Sequence, residues 1–86
     1  MKIVDAVAAI EAEYRRSMSL FPNFNSPHEG YAVLLEEVDE LWESIKNRKP
    51  GRKDLERASL LSDMQEEAVQ IGAMAVKFLV SMEAWR

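Results

Sequence analysis

The chain has 86 residues, no cysteine and a formal net charge of −4, with 48% hydrophobic and 30% charged residues. This length predicts one small domain over residues 1–86, and the composition is typical of a soluble, helix-rich protein without disulfide bonds. The acidic balance argues against binding to a nucleic acid polymer, and the lack of an uninterrupted apolar run of about 20 residues argues against a membrane partner.

The first predicted helix covers residues 2 to about 19. Its apolar side chains recur at the three-to-four spacing of an amphipathic helix, at Ile3, Val7, Ile10, Tyr14 and Met18. Asp5 and Glu11 interrupt this apolar pattern, so the segment lacks the continuous core of a signal peptide. We therefore expect a cytoplasmic protein.

The second predicted helix begins at Pro27 and ends near Asn47. Ser26 is suited to cap it, Pro27 is suited to its first position, and Glu29 follows three residues after the cap. One apolar stripe runs along it, made of Leu34, Val38, Leu41 and Ile45, with Leu35 and Trp42 beside it. This pattern predicts an amphipathic helix.

A turn at Pro50 and Gly51 separates this helix from a third, predicted over residues 54 to about 82. Between residues 68 and 80 the third helix is apolar on nearly every side. A helix of that kind is expected to be buried on every side, and two shorter helices cannot cover it alone. The sequence therefore predicts an all-α fold, an antiparallel helical hairpin plus an N-terminal helix, that assembles as a homodimer or a dimer of dimers.

Three glutamates stand out by their position relative to these apolar stripes. Glu37 lies at the edge of the second helix's stripe, and Glu40 follows it by three positions, so their carboxylates are neighbours. Glu67 lies at the centre of an apolar face of the third helix, formed by Leu60, Met64, Ile71, Met74 and Phe78. An isolated carboxylate there costs free energy, so we expect a counter-charge.

An antiparallel hairpin brings these carboxylates together, because Glu37 and Glu67 lie at similar distances from the turn. Lysine, arginine, protons or a metal ion are the available counter-charges, and ion pairs with basic residues of helix one or of a second subunit are one alternative. If a metal binds, carboxylate oxygens suit Mg²⁺ or Mn²⁺ better than zinc. A di-iron bundle needs Glu-x-x-His pairs, and His28, the single histidine, has no acid three residues before it.

The acids form a spaced pattern along the chain. Glu37-x-x-Glu40 follows directly after Glu36, and the segment EEAVQ places Glu67 after a spacer of 26 residues. This pattern resembles the MazG-type all-α nucleoside triphosphate pyrophosphohydrolases, whose signature is E-x-x-E, a spacer and E-x-x-D. The similarity covers residues 25 to 82, and Gln70 stands where that family has aspartate.

The resemblance implies cleavage of a nucleoside triphosphate between its α and β phosphates, which yields the monophosphate and pyrophosphate. It implies Mg²⁺ ligands at Glu37, Glu40, Glu67 and Gln70. Glu36 and Glu37 would be the catalytic acids, with Glu36 as a further ligand or as the base that orients water. Lys77 projects on the same side as Gln70 and is the candidate phosphate contact. The candidates for contact with the nucleotide base are Phe21, Phe24, His28 and Trp42.

A second interpretation stays open, in which the chain is a catalytically weak or inactive relative that acts as a nucleotide-binding or protein-interaction module. Gln70 separates the two interpretations, because an amide offers an oxygen to a metal but removes one negative charge. Asp63, one turn before Glu67, is placed to compensate for that loss.

Overall fold

The computed structural model describes residues 1–46 and 54–85, with only the backbone described over residues 54–60. Its helices are α1 (Ile3–Leu20), α2 (Pro27–Lys46) and α3 (Asp54–Ser81), and a short 3-10 helix, Met82–Trp85, follows α3. No strand occurs in these ranges. The predicted all-α fold is confirmed, and each helix ends within one residue of its predicted bounds. The predicted turn at Pro50 and Gly51 lies outside the described residues.

α2 begins where the capping pattern predicts. The backbone N–H of Glu29 donates a hydrogen bond to Ser26 Oγ at 3.1 Å, so Ser26 is the N-cap. The side-chain amide of Asn25 donates a second bond to the Glu29 carboxylate, also at 3.1 Å. These contacts fix the first turn of the helix that carries Glu37 and Glu40.

α3 is the central helix, because it packs against both α1 and α2 while those two have almost no contact with each other. Glycines allow the close approach on both sides. A Cβ atom on Gly30 would lie 2.6 Å from a ring carbon of Phe78, and one on Gly72 would lie 2.8 Å from Ile10 Cδ1. Because Gly30 near the start of α2 meets Phe78 near the end of α3, these two helices are antiparallel.

Three hydrogen bonds hold the connection between α1 and α2 against the C-terminal end of α3. The backbone N–H of Phe24 donates to Ser81 Oγ at 3.0 Å, and the Trp85 indole donates to Phe24 O at 3.1 Å. The Lys77 ammonium donates to Phe21 O at 2.8 Å. This packing buries a small hydrophobic core that consists of Phe24, Ala73 and Met74.

The described part of the chain leaves one side of α3 uncovered. Leu79 is 66% exposed and Leu61 is 47% exposed. Ala68 and Ala75 are exposed as well. As expected from the sequence, α1 and α2 cover only part of its circumference.

Among the described residues, one segment, Leu61–Trp85, is long and apolar enough to cross a membrane, with a mean hydropathy of 1.2 over its most apolar window. Within the folded chain, 22% of that window is buried. Length and composition do not distinguish a membrane span from the central helix of a helical bundle, which passes the same test.

Candidate metal centre

Three glutamates from two helices converge on one point. Glu37 and Glu40 on α2 and Glu67 on α3 each offer a carboxylate oxygen, and these oxygens all lie within 4.8 Å of one another. Glu37 and Glu67 are partly buried, whereas Glu40 is exposed. We call these three residues the glutamate cluster. Its spacing suits one cation between three oxygens, since hard divalent cations bind oxygen at roughly 2.0–2.6 Å.

Helix geometry explains how the glutamate cluster forms. Glu37 and Glu40 are three positions apart and are therefore neighbours on the surface of α2. The antiparallel α3 places Glu67 opposite them, as the hairpin predicts. Met64, Ile71 and Met74 lie within about 60° of Glu67 around α3, and all three are partly or fully buried. The Glu67 carboxylate is therefore held against α2 and away from bulk solvent.

The electrostatics of the cluster favour protonation when no cation is bound. Burial, followed by the negative charges of Glu40, Glu67 and Glu36, raises the pKa of Glu37 from its ordinary value of 4.5 to about 7. Burial also raises the pKa of Glu67, as does the neighbouring carboxyl group of Glu40. Protons therefore compete with any metal for these oxygens near neutral pH.

Two oxygens of the cluster have no hydrogen-bond partner, although both are buried: Glu37 Oε2 and Glu67 Oε2. No ion pair found in the described part of the chain includes the cluster. The pairs that do form lie on the surface and join Arg15 to Glu11, Arg16 to Glu13 and Lys46 to Glu43. A buried, unpaired carboxylate oxygen costs free energy that a bound cation recovers. The residues present therefore fit a hard divalent cation.

A cavity of about 400 Å³ adjoins the cluster. Its lining includes Glu37 from the cluster and the predicted site residues Gln70, Lys77, Phe21 and Phe24. Small-molecule sites in proteins commonly enclose about 300–1,000 Å³. The cavity is thus large enough for a small ligand whose polar end reaches the carboxylates.

Lys77 has a structural contact in addition to its place in the cavity wall. It is 2% exposed, and its Nζ lies 2.8 Å from Phe21 O and 5.5 Å from the centre of the Phe24 ring. Burial lowers its pKa. The bond to Phe21 uses one of the three N–H groups of the ammonium, so the side chain ties α3 to the preceding connection and retains donors for a ligand.

Arg16 is a cavity residue that the sequence patterns did not single out. It lines the cavity beside the cluster and also a second cavity, of about 460 Å³, between α1 and α3. Its guanidinium binds the Glu13 carboxylate at 2.5 Å. In the sequence, the i,i+3 spacing of Glu13 and Arg16 is typical of an ordinary ion pair on a helix surface. The pair borders both cavities because α1 packs on α3, which the sequence pattern does not show.

Five predicted site residues do not line either cavity: the cluster residues Glu40 and Glu67, and also Glu36, His28 and Trp42. Glu36 is exposed beside the cluster, and its charge contributes to the raised pKa of Glu37. His28 and Trp42 are exposed because they lie about 140–180° around α2 from Glu37. Trp42 instead has Lys46 Nζ 5.9 Å from its ring centre. Of the candidate base contacts, Phe21 and Phe24 do line the cavity beside the cluster.

Fold and site together define an all-α chain with a carboxylate cluster that fits a hard cation and a cavity next to it. No protein-family model, curated protein or solved structure matches the chain.

Proposed function

We propose that the chain is a Mg²⁺-dependent nucleoside triphosphate pyrophosphohydrolase with a MazG-like helical fold, acting as a cytoplasmic homodimer or dimer of dimers. One observation carries the proposal: Glu37, Glu40 and Glu67 converge, with two buried and unpaired oxygens, beside a cavity of about 400 Å³. The acidic pattern that resembles the MazG family contains the same three residues. Mn²⁺ would accept the same oxygen ligands.

The cluster residues Glu37, Glu40 and Glu67 would hold the metal, and Gln70 would offer its amide oxygen. When bound, such an ion neutralises phosphate oxygens and lowers the pKa of a bound water. Glu36, exposed next to the cluster, accepts the proton of the attacking water, and the Glu37 carboxylate orients that water.

The cavity supplies contacts that suit a nucleotide. Lys77 gives its wall a cationic group with N–H donors for a phosphate, and a triphosphate is a strongly anionic ligand. Arg16 also lines the wall, where it is paired with Glu13. Phe21 and Phe24 give the same cavity an aromatic part that suits a base. A substrate bound here would have its phosphates near Glu37 and its base near the connection between α1 and α2.

The test is product analysis with a panel of ribonucleoside and deoxyribonucleoside triphosphates during a Mg²⁺ titration. Glu67→Gln removes one cluster charge, and the control Glu43→Gln removes one charge from an exposed position of α2 outside the cluster. We expect equal amounts of monophosphate and pyrophosphate from the unmodified chain and the control, and a loss of about a hundredfold or more in Glu67→Gln. Release of diphosphate and inorganic phosphate, or no turnover with any triphosphate, would contradict the proposal.

A catalytically weak or inactive nucleotide-binding module is the second candidate, and Gln70 is the observation that favours it. An amide at this position leaves the site one negative charge short of the E-x-x-E and E-x-x-D pattern. Such a module would bind a nucleotide together with Mg²⁺ but release no pyrophosphate. Calorimetric titration with a triphosphate, followed by analysis of the recovered nucleotide, separates binding from hydrolysis.

A further inference from the structure

α2 carries a continuous row of apolar side chains that the described part of the chain leaves exposed. This apolar seam consists of Tyr31, Leu35, Val38, Trp42 and Ile45. Their exposed fractions range from 41% at Ile45 to 65% at Tyr31. The spacing alternates between four and three residues, which is the 3.5-residue repeat of a helix that packs along its length against another helix. No charged residue interrupts it.

α3 extends the same surface. Its exposed apolar residues Leu61, Ala68, Ala75 and Leu79 repeat at intervals of seven and four. Because α2 and α3 are antiparallel, Leu61 lies at the Ile45 end of the seam and Leu79 at its Tyr31 end. The two alanines leave room for a further helix to approach closely.

The seam and the α3 row both face away from the cavity. Glu40 follows Tyr31 by nine positions, which is about half a turn around α2. Gln70, in the cavity wall, lies nine positions from both Leu61 and Leu79, again about half a turn around α3. A partner on this surface would therefore leave the glutamate cluster and the cavity accessible.

The size of this surface is that of a dimer interface. The seam spans 14 positions of α2 and the α3 row spans 18 positions of α3, which at about 1.5 Å per residue gives an apolar surface roughly 20–27 Å long and two helices wide. Each partner in a standard interface contributes roughly 800 Å². The largest apolar patch of an ordinary monomer is about 300–600 Å². Left in water, such a surface would cost both stability and solubility.

We infer that this surface is the interface between two copies of the chain. A second copy brings an identical seam with the same repeat, and a two-fold axis then lets each seam and α3 row cover its counterpart. Each copy retains its own glutamate cluster on the opposite side. The inference rests on the exposed surface alone and does not depend on the proposed activity.

Sedimentation equilibrium of the chain and of two lysine variants tests the inference. Val38→Lys places a charge at the centre of the seam, and Ala12→Lys places the same charge at an exposed position of α1 outside it. We expect a dimer for the unmodified chain and for Ala12→Lys, and a rise of about a hundredfold or more in the dissociation constant for Val38→Lys. A monomeric unmodified chain at micromolar concentration, or equal dissociation constants for the two variants, would overturn the inference.

A second readout does not depend on how well a lysine variant folds. The chain has no cysteine, so Val38→Cys and Ala12→Cys each carry a single thiol. At concentrations that favour the dimer, we expect a maleimide to label Val38→Cys at least about tenfold more slowly than Ala12→Cys, with the difference lost on dilution. Protection that does not change with dilution overturns the inference, because Val38 is then covered within its own chain. So does protection gained only with phosphatidylcholine vesicles, because a membrane then covers the seam.

Discussion

The carboxyl group of Glu67 occupies a position where charge is costly. Apolar residues lie beside it on α3 together with the acidic Glu66 and Asp63. One of its oxygens is buried without a hydrogen-bond partner, and its pKa is raised. The described residues supply no cationic side chain to it. A residue with this combination weakens the metal-free protein when it is ionised, and the cost is recovered when a proton or a cation binds.

We therefore expect Glu67→Gln to raise the midpoint of thermal unfolding in a chelator at about pH 8. The amide removes one negative charge, and its NH₂ group can donate a hydrogen bond to the remaining carboxylates. Mg²⁺, which should stabilise the unmodified chain, should stabilise this variant far less. The exposed control Glu43→Gln should change stability by no more than about 0.5 kcal/mol. A loss of about 3–5 kcal/mol in Glu67→Gln would instead identify Glu67 as half of a buried ion pair.

Gln70 provides a second residue-scale prediction, because it lies in the cavity wall three positions after Glu67. Gln70→Asp should tighten Mg²⁺ binding on the order of tenfold in the presence of a nucleotide, since the charge of the oxygen ligands governs affinity for hard cations. It should also lower stability in a chelator. The control is Gln65→Asp, the same change at an exposed position of α3. Equal effects at both positions, on affinity and on metal-free stability, would show that Gln70 does not face the site.

At the scale of the helices, two glycines permit α3 to approach its neighbours, but they differ in what a methyl group would meet. At Gly30 the added Cβ would lie 2.6 Å from Phe78 Cδ2 and 3.1 Å from Phe24 Cδ2. Both are aromatic rings packed in the core. At Gly72 it would meet the end of the Ile10 side chain at 2.8 Å, which can adopt another rotamer.

Gly30→Ala should lower the free energy of unfolding by about 1–2 kcal/mol, because overpacking costs about 1–3 kcal/mol while alanine recovers up to about 1 kcal/mol of helix propensity. Gly72→Ala should be neutral or stabilise the chain by up to about 1 kcal/mol, because alanine has the higher helix propensity and the Ile10 side chain can move away. Urea unfolding followed by circular dichroism gives both values. The same change in stability at both positions would show that the Phe78 ring moves as readily as the Ile10 side chain.

The three helices and the meeting of Glu37, Glu40 and Glu67 were predictable from sequence, because both follow from periodicity within a helix and from the length of a hairpin. The contact between Lys77 and Phe21 was not predictable, because it depends on how the connection between α1 and α2 folds back onto α3. No local repeat specifies that tertiary contact.

The exposure of Trp42 could not be predicted from the sequence, for a related reason. Apolar patterning shows which side of α2 avoids water, and it does not distinguish burial against α3, a ligand or a second chain. The same ambiguity applies to α3, whose apolar circumference predicted burial without naming the covering surface.

At the scale of the whole molecule, stability depends on what the chain binds. Among the described side chains, the buried hydrophobic ones are Phe24, Ala73 and Met74, which form a small core. Anything that binds only the folded chain then adds a comparatively large increment to its stability. Both a cation at the glutamate cluster and a second copy on the apolar seam belong to this category, so protein concentration and Mg²⁺ must be controlled separately.

The pH dependence of stability separates the effect of the cation from the effect of a second copy. The folded-state pKa of Glu37 is about 7, above its ordinary value of 4.5, so between these values the native chain binds more protons than the unfolded chain. The free energy of unfolding in a chelator should therefore fall as pH rises through this interval and stay low above it. The raised pKa of Glu67 acts in the same direction. We expect a loss on the order of 1 kcal/mol from Glu37, after discounting for solvent screening.

Saturating Mg²⁺ should remove most of this loss, because the cation replaces the protons as the counter-charge, and its stabilising effect should therefore grow from about pH 5 to about pH 8. Urea unfolding at one fixed protein concentration, with chelator or with Mg²⁺, measures both curves. Glu37→Gln should flatten the chelator curve, while Glu43→Gln should leave it unchanged. A metal-free stability that stays flat between about pH 4.5 and 7, and is unchanged there by Glu37→Gln, would mean that the pKa of Glu37 is not raised in the native protein, as expected of an acid that has a cationic partner. The cluster would then have no unmet charge for a metal to satisfy.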